Sequence, residues 1–357
     1  MRNTATATSR AEDREPLHAA SRTPVRIVGV ACGSGAPDPR CANGPATLRK
    51  YGLVGRLRHV GMDAAWSGII PTPARGETLA VVSAVAGALA VRTEELVARG
   101  RLPVVLGGDH SCAIGTWKGI ARALAHKASP DVPPIPARPL DAPPHNSLGL
   151  VWIDAHMDAH TTQTSESGKL HGMPLACLLG EGDPSLTGIA DGARLDPHRV
   201  CLVGVRSFES GEAALLHRLG VRVFFMHDVE RRGLQAVMKE AIAIAGSGGR
   251  SYGISLDLDA VDPRDAPGVG SPAPGGIRAA DLLRSLARYG RGPALAGLEI
   301  TEYNPDRDRN AKTARLVTAA IQALLAPRPL SVVSGAAVQN PAEHNSGSDT
   351  GKRRRAA

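Results

Sequence analysis

The stretch WIDAHMDAH, Trp152 to His160, sets Asp154, His156, Asp158 and His160 two residues apart, just after the apolar run Leu148–Ile153. In an extended chain, side chains two apart point the same way. The spacing therefore predicts four metal-binding groups on one face at the end of a buried strand. Related chemistry recurs elsewhere: VVLGGDHS brings Asp109 and His110, and ISLDLDAVDP brings Asp257, Asp259 and Asp262. LVGVRSFESGE leads to Glu209 and Glu212, and GLEITEYNP carries Glu299 and Glu302. Each follows an apolar run. In open α/β sheets, ligands bind at the carboxyl ends of the strands, so these motifs point to one site.

Four aspartates, Asp154, Asp158, Asp257 and Asp259, cannot stay ionised together in a partly buried crevice without countercharge. No Lys or Arg lies within the aspartate motifs. Two divalent cations would supply the charge, with His110 and His156 as further ligands. A mixed oxygen and nitrogen set without thiolates suits Mn²⁺ better than a structural zinc. Two such ions can share a bridging water and bring its pKa towards neutrality. Taken singly, D-x-D is often a loop carboxylate or helix cap, and paired glycines usually mark a turn. D-A-H-x-D is more specific, and all three motifs in order at successive strand ends indicate a binuclear centre.

The elements that must position these groups are legible as short β-branched runs: Val25–Val30, Leu102–Leu106, Leu148–Ile153, Val200–Val205, Val221–Phe225, Tyr252–Leu256 and Leu295–Ile300. Continuous apolar runs of this length mark buried parallel strands. Helical periodicity falls between them, over Glu77–Ala98, Ile114–Ala125, Ala213–Leu219, Leu234–Ala245, Ala279–Arg288 and Asn310–Leu325. Strands alternating with helices predict a doubly wound parallel α/β sheet. Residues 1–24 have no apolar signal region and read as a disordered leader. Residues 129–146, SPDVPPIPARPLDAPPHN, are too rich in proline for helix or central strand and form a surface loop. Residues 327–357 form a polar, flexible tail.

Composition narrows the function classes. No run reaches the roughly 20 apolar residues needed to span a membrane. The net charge of +8 is compatible with nucleic acid, but aromatic residues make up only 3% of the chain, too few for a stacking platform. Five scattered cysteines without C-x-x-C suit a reducing cytoplasm and argue against a disulfide framework or zinc ribbon.

From about Val25 to Leu325, GGDHS, DAHMDAH, SLDLDAVDP and EYNP in that order resemble the arginase/agmatinase ureohydrolase family. The resemblance implies a three-layer α/β/α sandwich with an eight-stranded parallel sheet and two Mn²⁺ per subunit. One ion would take His110, Asp154, Asp158 and Asp257, and the other His156, Asp154, Asp257 and Asp259. It also implies cleavage of a guanidinium by a metal-bridging hydroxide, which Asp158 can orient. TSESGKLHGMPL, Thr164–Leu175, is similar to the arginase branch. It makes His171 the proton donor to the leaving amine, with Ser165, Ser167, Lys169 and Gly172 lining the substrate. By the same resemblance Glu302 holds the guanidinium, Glu209 and Glu212 hold an α-ammonium, and Ser271 lies in the loop that closes the site.

Three departures bear on the substrate. Arginases usually carry Asn where this chain has His160, often Asn at Lys169, and Asp rather than Glu at 209. His160 and Lys169 favour an anionic group, so His160 is expected to recognise the substrate carboxylate rather than a metal. The implied reaction is L-arginine to L-ornithine and urea. The alternatives are another guanidino acid such as 4-guanidinobutanoate, agmatine, or a metal-bound arginine-sensing or scaffold protein without turnover. The resemblance further implies a homo-oligomer, trimer or hexamer.

Overall fold

The computed structural model describes residues 23–128, 148–289, 292 and 294–327. The leader up to residue 22, the Pro-rich stretch 129–146 and the tail from residue 328 lie outside the described residues. Eight strands form one sheet: β1 (Val25–Ala31), β2 (Ala64–Pro71), β3 (Leu102–Leu106), β4 (Gly149–Ile153), β5 (Val200–Val205), β6 (Arg222–Phe225), β7 (Tyr252–Asp257) and β8 (Leu295–Thr301). Their spatial order is β2-β1-β3-β8-β7-β4-β5-β6, and every neighbouring pair is parallel.

The side-chain period of two explains why the apolar runs are continuous. On β4, Val151 and Ile153 pack in one cluster with Val237 and Ala241 of the helix Leu234–Ala245. Leu150 and Trp152 face the other way, into a cluster with Trp117 and Ile120 of the helix Ala113–Ala128. β5 divides the same way, with Cys201 and Val203 against Val200 and Leu202. Both faces of the sheet are covered by helices, so both sets of residues must be apolar. The result is the expected three-layer α/β/α sandwich around an eight-stranded parallel sheet.

All seven apolar runs become strands, but β2 has no such run. It is an edge strand, AAWSGIIP, with only Ala64 buried, so burial never forces its sequence to be continuously apolar. Its register against β1 shifts between Ile27 and Val28, where Gly68 adopts φ +116°. Short helices such as Gly44–Lys50, Leu53–His59 and Met226–Arg232 are also beyond the residue pattern, being too short to show a helical period. The helix expected over Ala213–Leu219 starts earlier, at Ser210. That shift puts Glu209 at its N-cap and Glu212 in its first turn, where Glu212 Oε2 accepts the Glu209 amide at 3.0 Å.

The strand order has a direct consequence for the site. β3, β8, β7 and β4 are adjacent in the middle of the sheet, and parallel pairing brings their carboxyl ends to one edge. His110 follows β3, Glu302 follows β8, Asp257 ends β7, and Asp154 follows β4. Among the described residues, no helix is long and apolar enough to cross a membrane.

Candidate metal centre and active site

His110 is the hub of the first group of donors. Its Nδ1 lies 3.1 Å from Asp154 Oδ2, 3.0 Å from Asp158 Oδ2 and 3.0 Å from Asp257 Oδ2. All four residues are buried, yet Nδ1 makes no hydrogen bond with directed geometry. Donors about 3 Å from one another match the edges of a coordination shell with bonds of roughly 2.1 Å. The ring is fixed from behind: Nε2 lies 3.1 Å from Ser255 Oγ, and Ser255 Oγ donates to Glu299 Oε2 at 2.8 Å. Trp152 stacks on the ring at 4.1 Å between centroids, while its Nε1 donates to Asp154 Oδ2 at 2.9 Å. Such outer partners orient a ligating imidazole and set its tautomer.

The second group is built on the same Asp154. His156 Nδ1 lies 3.5 Å from Asp154 Oδ1 and 3.1 Å from Asp259 Oδ2. Backbone amides hold these carboxylates in place: His156 N donates to Asp154 Oδ1 at 2.7 Å, and Asp259 N to Asp257 Oδ1 at 2.8 Å. The six expected ligands thus fall into two adjoining groups that share Asp154. The expected geometry needs one correction. β4 ends at Ile153, and the run from Asp154 is a loop in which Asp158 adopts φ +49°. The two-residue spacing therefore does not line up one extended face, and the loop folds Asp158 back towards His110.

Electrostatics shows what this arrangement lacks. Burial and the neighbouring Asp154 push Asp158 up to about 7, against the pull of His110. Burial and neighbouring carboxylates also raise Asp257 and Asp259. Asp154 is held low despite burial because it lies between two imidazoles. Burial opposes the charged form of His156, but Asp154 and Asp259 outweigh it and push the ring up to about 12. The donors compete for positive charge, which is the condition a divalent cation relieves. The residues present fit two such ions.

Beside the first group, His171 Nδ1 lies 3.6 Å from Glu302 Oε1. Glu302 is buried at φ +64°, a left-handed conformation that costs a non-glycine residue about 1–3 kcal/mol and is typical of functional positions. Its Oε1 accepts the His110 amide at 3.0 Å, and the Cys41 thiol lies 3.2 Å from Oε2. Burial works against the charged form of His171, but the Glu302 carboxylate prevails and holds the ring at about 9. The His171 amide donates to Gly35 O at 3.2 Å, and Asp109 Oδ2 accepts the Gly35 amide at 2.8 Å. Asp109 is thus no ligand; it ties the loop after β1 to the site.

The substrate-side residues divide into two sets. His160 Nε2 lies 2.9 Å from Glu209 Oε2 and 3.4 Å from Glu212 Oε2, so its first partners are carboxylates. Ser165 Oγ accepts the Gly168 amide at 3.0 Å and Ser167 Oγ accepts the Lys169 amide at 3.3 Å, both shaping an exposed loop. Gly172 O accepts the His160 amide at 3.0 Å, while the Lys169 side chain is exposed. Ser271 lines a cavity of about 430 Å³ with His156 and Arg206. Arg206 holds that wall, donating to Asp259 O at 2.7 Å, Pro274 O at 2.9 Å and Ala273 O at 3.1 Å.

Residue patterning assigned no role to Ser255, Cys41, Thr164 or Arg206. Ser255 could have been found, since it lies two residues before Asp257 on the same strand. Cys41 and Arg206 act through contacts across more than 50 residues of sequence, which no local spacing reveals.

Comparison with known proteins identifies the family. Residues 23–326 match the Arginase family. An arginase of Bacillus caldovelox is 35% identical over 312 residues, covering 84% of this chain and 97% of that protein. An arginase of Brevibacillus brevis is 35% identical over 313 residues, covering 85% and 98%. The crystal structure of an arginase from Bacillus cereus superposes with a TM-score of 0.76 at 31% identity, over 86% of this chain and 100% of that one. With paired His/Asp groups at the strand ends and a family match across the fold that positions them, the chain belongs to the arginase family and is a hydrolase of amidino C–N bonds.

Proposed function

We propose that this hydrolase converts L-arginine to L-ornithine and urea with two Mn²⁺ per subunit. The observation that carries it is the pair of donor groups sharing Asp154, set beside His171 and Glu302. One ion would be held by His110, Asp154, Asp158 and Asp257, the other by Asp154, His156, Asp257 and Asp259. Bound there, the ions supply Lewis acidity that activates water at neutral pH. Oxygen and imidazole donors without thiolate favour manganese.

The chain's own groups account for the rest. Glu302 presents a fixed carboxylate, the planar partner of a guanidinium. Its anchor on the His110 amide sets the distance from that guanidinium to the donor groups. Asp158, fixed in its loop, accepts a hydrogen bond from the attacking water and orients it. The leaving amine needs a proton, and His171 holds one through neutral pH and delivers it. Glu209 and Glu212 would face the α-ammonium. Ser165, Ser167, Lys169 and Gly172 belong to the loop that would meet the substrate, and Ser271 to the loop that would close the site. A guanidino acid without the α-ammonium would offer no cation to Glu209 and Glu212, and agmatine would give Lys169 no partner. Arginine satisfies both ends.

We further propose that residues 25–326 form one catalytic unit in a homo-oligomer, trimer or hexamer. A cytoplasmic location suits the five cysteines, all of them free and buried. Metal analysis coupled to urea release tests the binuclear centre. Wild-type protein should hold two ions per chain and release urea from arginine, and Asp154→Asn should lose both. An Asp154→Asn protein that keeps two ions and full urea release would contradict a shared Asp154.

A further inference from the structure

The sequence singles out His160 for the substrate carboxylate, but its surroundings point elsewhere. Its Nδ1 lies 3.2 Å from Thr164 Oγ1, and that hydroxyl already accepts the Thr161 amide at 2.9 Å. Thr164 thus occupies the Nδ1 side of the ring and turns Nε2 towards Glu209 Oε2 at 2.9 Å, where a proton on Nε2 makes a hydrogen bond to the carboxylate. We infer that His160 is a positioning residue: it fixes the Glu209 carboxylate and so selects guanidino substrates that carry an ammonium at the far end. This rests on the reading of Glu209 and Glu212 as the ammonium-facing pair.

The two glutamates differ in how they are held. Glu212 has 3% of its side chain exposed, and its oxygens accept the amides of Ala159 and Glu209, both at 3.0 Å. Its place is set by the backbone. Glu209 has 64% of its side chain exposed; apart from its capping contact at the start of the helix and its neighbour Glu212, its Oε2 is held by His160 at 2.9 Å. The His160 ring is only 12% exposed and braced at three points: Thr164 on Nδ1, Glu209 on Nε2, and Gly172 O on its backbone amide at 3.0 Å.

Thr164 is itself fixed from outside the loop. A Cβ on Gly211 would fall 2.8 Å from Thr164 Cβ, so the missing side chain lets Thr164 seat against the start of the helix Ser210–Leu219. That helix start also carries Glu209 and Glu212. Thr164, His160 and Glu209 thus form a closed brace around the carboxylate pair. With Thr164 on Nδ1 and Glu209 and Glu212 about Nε2, both ring nitrogens of His160 already face partners of this chain rather than a substrate carboxylate. The negative pair is what the site offers, and an ammonium is its complement.

Kinetics on the metal-loaded protein with L-arginine and 5-guanidinopentanoate, which lacks only the ammonium, test this. A hydrogen bond to a charged group is worth roughly tenfold or more. His160→Ala should raise KM for arginine by about that factor, with kcat within about threefold and both metals retained. The constants for 5-guanidinopentanoate should hardly move. His160→Gln, whose amide nitrogen can stand near Nε2, should restore the arginine KM. Equal losses on both substrates, or no rescue by Gln, would overturn the positioning role. Wild-type protein that releases no urea from arginine would instead sink the proposed reaction. The inference stays readable then by titration with L-ornithine and 5-aminopentanoate: His160→Ala must weaken only the former, and equal weakening would refute it.

Discussion

At Glu302 a left-handed backbone, a burial-raised carboxyl and three polar neighbours meet in one side chain. The surroundings fix where a guanidinium would rest, so its charge should matter more than its shape. Glu302→Gln is expected to lower kcat/KM for arginine by roughly a hundredfold or more while leaving the fold intact, measured by urea release and circular dichroism. Two titrations follow from the neighbours. His171 must be protonated to serve the leaving amine and is held at about 9, so kcat should persist through neutrality and decline as pH passes about 9. A decline centred near 6.5 would show that Glu302 does not support the ring. Burial pushes Glu212 up to about 7, against the Glu209 amide that lowers it. Below that pH Glu212 is protonated and neutral, and above it Glu212 is ionised. The KM for arginine should therefore fall as pH rises through about 7, while that for 5-guanidinopentanoate stays level. The residue types were legible in the sequence because six donors recur directly after apolar runs. The partners of His160 were not, since they depend on a helix that begins three residues earlier than its periodicity suggests.

The strands do more than carry these residues; their ends must nearly touch. Gly108 in GGDHS looks like a turn glycine, yet its φ is not left-handed. A Cβ there would lie 1.7 Å from Cys32 O, which also accepts the Asp109 amide at 2.9 Å. The glycine is required for close approach between the ends of β1 and β3. Gly108→Ala should cost at least about 1–3 kcal/mol, seen as a Tm lower by several degrees or as loss of soluble protein. An unchanged Tm would mean that the strand ends can separate freely. Central strands were legible because burial on both faces demands continuous apolar runs. β2 was not, because an edge strand with one neighbour tolerates Ser67 and Gly68.

Across the whole molecule, a parallel sheet collects acids from β3, β4, β7 and β8 at one edge, at the cost of concentrating buried negative charge. Bound cations would offset that cost and so couple metal to folding. Chelation should lower Tm, and Mn²⁺ added at about a hundred times its Kd should restore roughly 2.7 kcal/mol, read by thermal unfolding. A Tm indifferent to chelation would separate the acids from metal binding. The fold and the clustering of these His and Asp residues were visible from sequence because both rest on local patterns. Substrate preference was less so, because it depends on contacts between loops after different strands. The most direct test of the central claim is urea release by the Mn²⁺-loaded protein from L-arginine, agmatine and 4-guanidinobutanoate side by side. Arginine should give the highest kcat/KM by a wide margin; preference for either of the others, or no urea from any with two metals bound, would contradict the account.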